Sequence, residues 1–475
     1  MTIGFESWTN MTRLFGTDGI RGEAGVYPLD AMTVRKIGRS LARQLASRLD
    51  GRKPEFVTGC DTRESGSWIE SALIAGAEEG GARCQSAGVI TTPGVVYLAR
   101  VMPADAGVVI SASHNPYEDN GIKIFARSGR KLDDSTERLI EADVMTQTSD
   151  ETETKQSHST YLEMHTPIDH SSNSQHAAEL QARYRSYLIG DVGNGLDLNG
   201  LSIVVDCANG SASNIAPAVF ESLGARVITI NNSPNGRNIN LNCGSLHIEE
   251  LQAMVTEKQA DLGVAFDGDA DRALFVDAKG NFVDGDATLW VMSKYLHSHG
   301  QLTNDAVVAT VMSNIGLEIA LRSIDVGLLR TDVGDKYVLE KLLETGASVG
   351  GEQSGHIIFP GLSLAGDGII TTLRLLKVIK ETGDTLEALT CGFMRYPQIL
   401  VNVRVRQKPP FSEVEAIAHA ARAVEDELGD SGRLLLRYSG TEPLARVMIQ
   451  GTEQDIIERK ANTIAEVINE AIGAS

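Results

Sequence analysis

Three aspartates at alternate positions, Asp267, Asp269 and Asp271, follow the apolar run Leu262–Phe266 in LGVAFDGDADRALFVD. Carboxylates this close repel one another unless a cation neutralises them, and a hard oxygen set suits Mg2+ or Ca2+. The loop is not an EF-hand: Arg272 stands where that loop needs glycine, and Ala278 where it needs glutamate. The plain alternative is a polar turn with solvated carboxylates, but the loop leaves a buried strand directly, which favours the metal. A second strand exit, VVISASHNPYEDNGIKIF (Val108–Phe125), poses a similar choice. Ser, Asn and Pro form turns, so Ser113-His114-Asn115-Pro116 reads as an ordinary exit. It reads equally as a nucleophile, Ser113, with His114 and Lys123 within reach.

Three further kinds of loop carry polar groups. GGEQSGHIIF (Gly350–Phe359) sets Glu352 and Ser354 between glycines, where they could bond adjacent sugar hydroxyls, although a glycine-rich turn before a strand looks alike. LLRYSGTEPLARV offers Arg437, Ser439, Gly440, Thr441 and Arg446, a phosphate cradle of hydroxyls, turn amides and guanidiniums, or a tight hairpin with surface arginines. FGTDGIRG, GCDTRESG and DVGDKYV supply Arg21, Arg63 and Lys336, each of which alone is more often a solvated loop charge. CANGSAS at Cys207 reads as a structural strand-to-helix turn. Read together, a metal loop, a strand-end serine, a hydroxyl-reading loop and a phosphate cradle imply phosphoryl transfer to or from a sugar phosphate. The serine is not in the G-x-S-x-G context of a hydrolase elbow.

These loops need elements to hold them. Short β-branched runs alternate with amphipathic stretches, as in FVTGCDTRESG then SWIESALIAGAEEGGA, and LSIVVDCANGSASN then IAPAVFESLGA. That rotation predicts an α/β fold with mixed, largely parallel sheets, in which ligands bind at the carboxyl ends of strands. It recurs about three times at a common domain size, without a literal repeat. From QILVNVRVRQKPP onward, the order strand, helix, strand, strand, helix predicts a small C-terminal α+β domain. The expected boundaries are 11–144, a polar linker or insertion over 145–181, then 182–280, 281–395 and 396–475. The linker holds His158, His165, His170 and His176 in no standard metal spacing, and its composition predicts no core.

The chain of 475 residues has a formal net charge of −20, which disfavours nucleic acid and anionic membrane as partners. An anionic substrate would then need cations concentrated locally. No apolar run reaches membrane-span length, and the first residues lack the pattern of a signal peptide. Five widely spaced cysteines predict reduced thiols and a cytoplasmic setting. Residues 1–10 read as an extension.

FGTDGIRG, SASHNP, DGDADR, GEQSGH and RYSGTEP, in this order and at these intervals, resemble the α-D-phosphohexomutase superfamily. The resemblance covers nearly the whole chain from Leu14, apart from 145–181. Within it, FGTDGIRG, VGDKYVLEK, GEQSGHII and SGTEPLARVM are most similar to the bacterial branch acting on glucosamine phosphate. The resemblance implies four domains around a central cleft, the last closing over the substrate. It implies an intramolecular phosphotransferase of the isomerase class, with Ser113 phosphorylated and one Mg2+ held by Asp267, Asp269, Asp271 and that phosphoserine. A hexosamine 1,6-bisphosphate serves as intermediate and activator. His114, Lys123 and Arg21 complete the catalytic group, with Lys123 moving the proton. Glu352, Ser354, Lys336 and Arg272 bind the sugar phosphate, and Arg437, Ser439, Gly440, Thr441 and Arg446 hold the phosphate that is not reacting. The only partner implied is this small molecule, and a homodimer stays open. Tyr438 departs from the Pro or Lys frequent in relatives, leaving the cradle groups intact. No residue visibly reads a 2-amino group, so glucose or mannose phosphate remains an alternative. A phosphatase using Asp267 as nucleophile leaves SASHNP without a role, and a catalytically dead sugar-phosphate-binding regulator would not retain both Ser113 and all three aspartates.

Overall fold

The computed structural model describes residues 13–16, 18–150, 174–439 and 442–474. The first unit comprises β1 (Ile20–Glu23), α1 (Ala31–Ala46), β2 (Glu55–Cys60), α2 (Gly66–Glu79), β3 (Arg83–Val89), α3 (Thr92–Val101), β4 (Ala106–Ile110), β5 (Asp119–Ala126) and α4 (Asp134–Asp150). After it comes α5 (Ser174–Tyr187). The second unit is β6 (Ser202–Asp206), α6 (Ala216–Ser222), β7 (Arg226–Ile230), α7 (Glu249–Lys258), β8 (Leu262–Phe266), β9 (Ala273–Asp277) and β10 (Phe282–Val283). The third is α8 (Gly285–Ser298), β11 (Ala306–Thr310), α9 (Ile315–Arg322), β12 (Gly327–Thr331), α10 (Asp335–Thr345), β13 (Gly350–Gly351), β14 (Ile357–Ile358), α11 (Gly368–Thr382) and α12 (Leu386–Thr390). The fourth is β15 (Gln398–Arg404), α13 (Glu415–Leu428), β16 (Arg433–Tyr438), β17 (Leu444–Gln450) and α14 (Gln454–Ile472).

The first three units share one topology. Their sheets run β1-β5-β4-β2-β3, β10-β9-β8-β6-β7 and β12-β11-β13-β14. Each contains three parallel strands, β3-β2-β4, β7-β6-β8 and β12-β11-β13, and then an antiparallel return strand, β5, β9 or β14. The strands β4, β8 and β11 are buried at every residue, as continuous apolar strands covered on both faces must be. The fourth sheet, β15-β17-β16, is wholly antiparallel. The expected architecture of three α/β units and a C-terminal α+β unit is therefore the observed one.

The segment expected to build no core does contribute to one. Helix α4 continues to Asp150, and α5 begins at Ser174 inside the segment read as a linker. Leu180, Tyr184 and Leu188 repeat at helical spacing and are buried in a cluster that also holds Val95 of α3, Phe220 of α6 and Leu373 of α11. One apolar cluster thus joins the first three units through α5, while the fourth has a core of its own. His176 meets Gln85 at 2.9 Å. His158, His165, His170 and residues 1–10 lie outside the described residues. Among the described residues, no helix is long and apolar enough to cross a membrane.

Tyr184 also donates from its hydroxyl to Asp367 at 2.6 Å, and Asp367 caps α11 by accepting from the amides of Ile369 and Ile370. The next residue, Gly368, donates its amide to the carbonyl of Ala270 in the aspartate loop. The linker helix thereby braces the loop that carries Asp267 to Asp271. Tyr184→Phe leaves a buried carboxylate short of a donor, which costs about 1–3 kcal/mol. Urea unfolding should place the transition of the first three units correspondingly lower, and an unchanged midpoint would rule the brace out.

Candidate active site

The polar loops leave the same place in each repeat. Residues 111–118 follow β4, residues 267–272 follow β8, and residues 352–356 follow β13, in each case ahead of the antiparallel return strand. Each loop contains a backbone of positive φ: Ser113 at 55°, Ala270 at 57° and Gly355 at 89°. For a serine this costs about 1–2 kcal/mol, so the surroundings must impose it.

Arg63 imposes much of it. Its guanidinium is buried and uses all its donors: Nε to Asp61 at 2.9 Å, and the two terminal nitrogens to the carbonyls of Ser113, Asn115, Pro116 and Asp119. Asn240 donates to the Ser113 and Asn115 carbonyls at 2.9 and 3.1 Å. The Ser113 amide donates to Ser111 Oγ, which in turn donates to Asp61. Arg63 is therefore not a free cation for a ligand but the clamp on the serine loop. The metal loop presses on the same segment, where a Cβ on Gly268 would lie 2.6 Å from the Ser113 carbonyl.

Ser113 Oγ donates to Asp267 Oδ2 at 2.5 Å, and His114 Nδ1 lies 3.4 Å from Ser113 Oγ. Asp267, Asp269 and Asp271 are buried and bring one oxygen each to within 4.8 Å of one another. Lys123 Nζ donates to Asp269 at 2.9 Å and to Asp271 at 3.4 Å, and Thr92 Oγ1 donates to Asp269 at 2.6 Å. Asp269 Oδ1 and Asp271 Oδ1 are nonetheless buried without a hydrogen-bond partner. Buried acceptors of this kind are rare, and two on adjacent carboxylates fit a hard cation.

The charges divide the site. Burial, with Asp271 and Asp269 beside it, pushes Asp267 well above the usual carboxylate range. Burial acts the same way on Asp271, but Lys123, His356 and Arg272 outweigh it and hold that group well below. Lys123 is buried yet firmly protonated, because Asp18, Asp269 and Asp271 surround it. Burial, Arg272 and Arg21 lower His114 to about 4, so it is neutral at physiological pH. His356 receives the Gly366 amide on Nε2 at 3.1 Å and turns Nδ1 toward Asp271 at 3.6 Å.

A cleft of 440 Å³ opens over these groups, within the range of small-ligand sites. Arg13, Arg21, Arg272 and His114 line it, opposite Asp18, Asp271, Asp335 and Glu352. Three guanidiniums thus stand in the cleft together with four carboxylates. Glu352 accepts from the Gly334 amide at 3.1 Å and from Ser354 at 3.2 Å. Ser113, Lys123, Asp267, Asp269 and Ser354 do not themselves line it, and two further expected groups are placed away from it. Lys336 turns away to Asp134 at 2.5 Å and lines a separate cavity of 380 Å³. Arg437, Ser439 and Arg446 sit on the fourth unit and are not among the lining residues. There Arg437 and Arg446 face each other across β16 and β17, and burial together with Arg446 lowers the Arg437 pKa. Opposed like charges destabilise a sheet, and Arg446 Nε is buried without a partner, as in a site that awaits an anion. Lys408 adds a third cation at the Ser439 carbonyl, 2.6 Å away. Gly440 and Thr441 lie outside the described residues.

Models of the phosphoglucomutase/phosphomannomutase family match all four units: the alpha/beta/alpha domains I, II and III over residues 12–151, 185–280 and 284–396, and the C-terminal domain over 400–467. The chain belongs to the phosphoglucomutase/phosphomannomutase family. Similar curated members of this family include the phosphoglucosamine mutases of Solibacter usitatus, 48% identical over 97% of this chain and 99% of that one, and of Acetivibrio thermocellus, 45% identical over 98% and 100%. The fold of this family member matches a phosphoglucomutase/phosphomannomutase family protein from Burkholderia thailandensis with a TM-score of 0.74 at 23% identity, covering 97% and 98% of the chains. It also matches Aspergillus fumigatus N-acetylphosphoglucosamine mutase, solved with GlcNAc-6P and magnesium, with a TM-score of 0.64 at 18% identity, covering 97% and 96%.

Arg63, Asn240, Asp18, Arg13 and His356 shape this family member's site; the sequence offers Arg63 only as a loop cation, and gives the other four no role. Arg63→Met should cost about 3–5 kcal/mol, because it strands the buried Asp61 and releases the serine loop. Chemical denaturation of the full chain measures this. A loss under about 1 kcal/mol, the scale of an exposed pair, would show that the clamp is not needed.

Proposed function

We propose that the protein is a phosphoglucosamine mutase, interconverting glucosamine 6-phosphate and glucosamine 1-phosphate. The observation that carries this reading is Ser113 Oγ held 2.5 Å from Asp267 at the edge of a three-carboxylate cluster in which two buried oxygens accept no hydrogen bond. Full-length similarity to curated phosphoglucosamine mutases supports the amino sugar over a neutral hexose.

Ser113 carries the phosphoryl group in the working enzyme, adding roughly −1.5 to −2 charge. Mg2+ held by Asp267, Asp269, Asp271 and the phosphoserine would offset that charge and polarise the phosphoryl group. O1 of glucosamine 6-phosphate attacks phosphorus, the Oγ–P bond breaks, and glucosamine 1,6-bisphosphate forms beside a free serine. The intermediate turns over within the cleft. Ser113 Oγ then attacks the phosphoryl group on O6, and glucosamine 1-phosphate leaves. The charged Lys123 and the neutral His114 suit a proton donor and a proton acceptor for the hydroxyl that attacks and the oxygen that leaves. Arg21 and Arg272 draw the anionic substrate in, and Glu352 and Ser354 bond its hydroxyls. Arg437, Ser439, Gly440, Thr441 and Arg446 hold the distal phosphate when the fourth domain closes and excludes water. The separate core of that unit suits such a movement. A phosphatase that uses Asp267 as nucleophile would leave Ser113, whose Oγ donates to that carboxylate, without a role.

Phosphorus NMR tests the reading. With Mg2+ and a trace of glucose 1,6-bisphosphate, a 1-phosphate resonance should grow faster from glucosamine 6-phosphate than from glucose or mannose 6-phosphate. Faster conversion of a neutral hexose would move the substrate, and release of inorganic phosphate alone would overturn the mutase. Ser113→Ala should cut turnover by more than about a thousandfold, as loss of a nucleophile does. Mg2+ at a hundred times its dissociation constant should stabilise the wild-type protein by about 2.7 kcal/mol and leave the Tm of Asp269→Asn unmoved. Equal shifts in both would remove the aspartate loop as the metal site.

A further inference from the structure

The first and third units meet through two adjacent, crossed ion pairs. Lys131, which follows β5, reaches Asp335 at the start of α10 at 2.7 Å, and Lys336 reaches Asp134 at 2.5 Å. The two pairs differ in setting. The Lys336–Asp134 pair is exposed, with side chains 35% and 51% accessible, whereas Lys131 and Asp335 are 16% and 23% accessible. Exposed pairs hold little, so of these two ion pairs Lys131–Asp335 is the one able to hold the polar edge of a seam whose apolar part lies in the shared core.

Lys131 does not end at Asp335. Its Nζ also donates to Asp18 Oδ1 at 2.5 Å. The other oxygen of Asp18 faces Arg21 and lies 3.4 Å from Lys123 Nζ. On the far side, the residue before Asp335 is Gly334, whose amide is the donor to Glu352. A continuous path therefore runs from the sugar-reading loop to the aspartate loop: Glu352, Gly334, Asp335, Lys131, Asp18, Lys123, Asp269. Every step is a bonded neighbour or a contact of 3.4 Å or less. Lys131 is the only described side chain that holds both Asp18 and Asp335, and each of those lines the cleft.

We propose that Lys131 is a positioning residue for the mutase reaction: it locks the Gly334–Asp335 corner, and through it Glu352, against the Asp18 loop, so that the sugar is presented in register with Ser113. This rests on the mutase reading above. Lys131 itself does not line the cleft; it lines the separate cavity beside it, with Asp335 and Lys336. Its loss acts through geometry, and displacements of about an ångström at a reacting centre cost about a hundredfold.

The test is steady-state kinetics on the full chain with Mg2+ and glucose 1,6-bisphosphate, using whichever hexose 6-phosphate the wild-type enzyme converts. A wild type that converts none defeats the mutase reading and this inference with it. An active wild type isolates the inference. Lys131→Met should then raise KM by about tenfold and lower kcat/KM by about a hundredfold, and Lys131→Arg, which keeps the charge, should recover most of the KM. Asp335→Asn should reproduce the KM effect, and the double variant should be no worse than Lys131→Met alone, because the two share one contact. Asp134→Asn, which breaks only the exposed pair, should remain close to wild type. A merely structural lysine would lower the amount of active enzyme at unchanged KM. That outcome, or additive losses in the double variant, overturns the proposal. Should Lys131→Met fail to fold, Asp335→Asn and Lys131→Arg decide by the same KM criterion.

Discussion

Asp267, Asp269 and Asp271 crowd their oxygens within 4.8 Å in a region almost sealed from solvent. Like charges in a medium of low effective dielectric repel strongly, and removing them from water is costly in itself. Much of the surrounding structure answers that one constraint. Lys123 is buried to face two of the carboxylates, and Asp18 is then needed beside Lys123, with Arg21 and Lys131 balancing Asp18 in turn. The result is an alternating lattice of charge that extends from the second unit through the first into the third. Two buried carboxylate oxygens at its centre accept no hydrogen bond, and a divalent cation would complete the balance there.

The same constraint explains how an acidic chain can serve an anionic ligand. Net charge describes the far field, whereas binding depends on the few groups that line the cleft. Arg13, Arg21 and Arg272 gather there, and the opposed Arg437 and Arg446 form a second positive point on a unit with its own core. The two positive regions sit on bodies that share no apolar cluster. A ligand with a phosphate at each end can therefore draw them together by charge, and the fourth unit is free to follow it.

Chemistry was legible in the sequence wherever it is local. The alternation of the three aspartates and the abrupt stop of an apolar run at Ser113 are visible within a few residues, and both positions are where the reading put them. The supporting groups were not legible, because their contacts span the chain: Arg63 lies 50 residues from Ser113, Asn240 lies 127 away, and Thr92 is 177 from Asp269. Arg63 and Lys336 were both read as available cations. Each is spent on a partner that only the fold supplies. The helix hidden in the polar linker did leave a signal, since Leu180, Tyr184 and Leu188 keep a four-residue spacing. Only Leu180 of the three falls inside the polar stretch, where composition dominated by Ser, Thr and acids outweighed it. The threefold recurrence of units was read from the rotation of strand and helix, but their shared strand order was not, because strand order repeats where residues do not.

That repeated topology has a consequence for how such a protein can change. Ser113, the three aspartates and the Glu352 loop occupy one corner of three copies of the same unit. Each copy presents its corner from a buried, self-sufficient strand. A duplicated ancestor would have supplied three equivalent ledges, and each was free to specialise because the other two kept the shape of the cleft. Alteration of the third ledge would bear first on the groups of the Glu352 loop, while Ser113 and the aspartates stay on strands of the other two units. The architecture separates the inheritance of a reaction from the inheritance of its substrate.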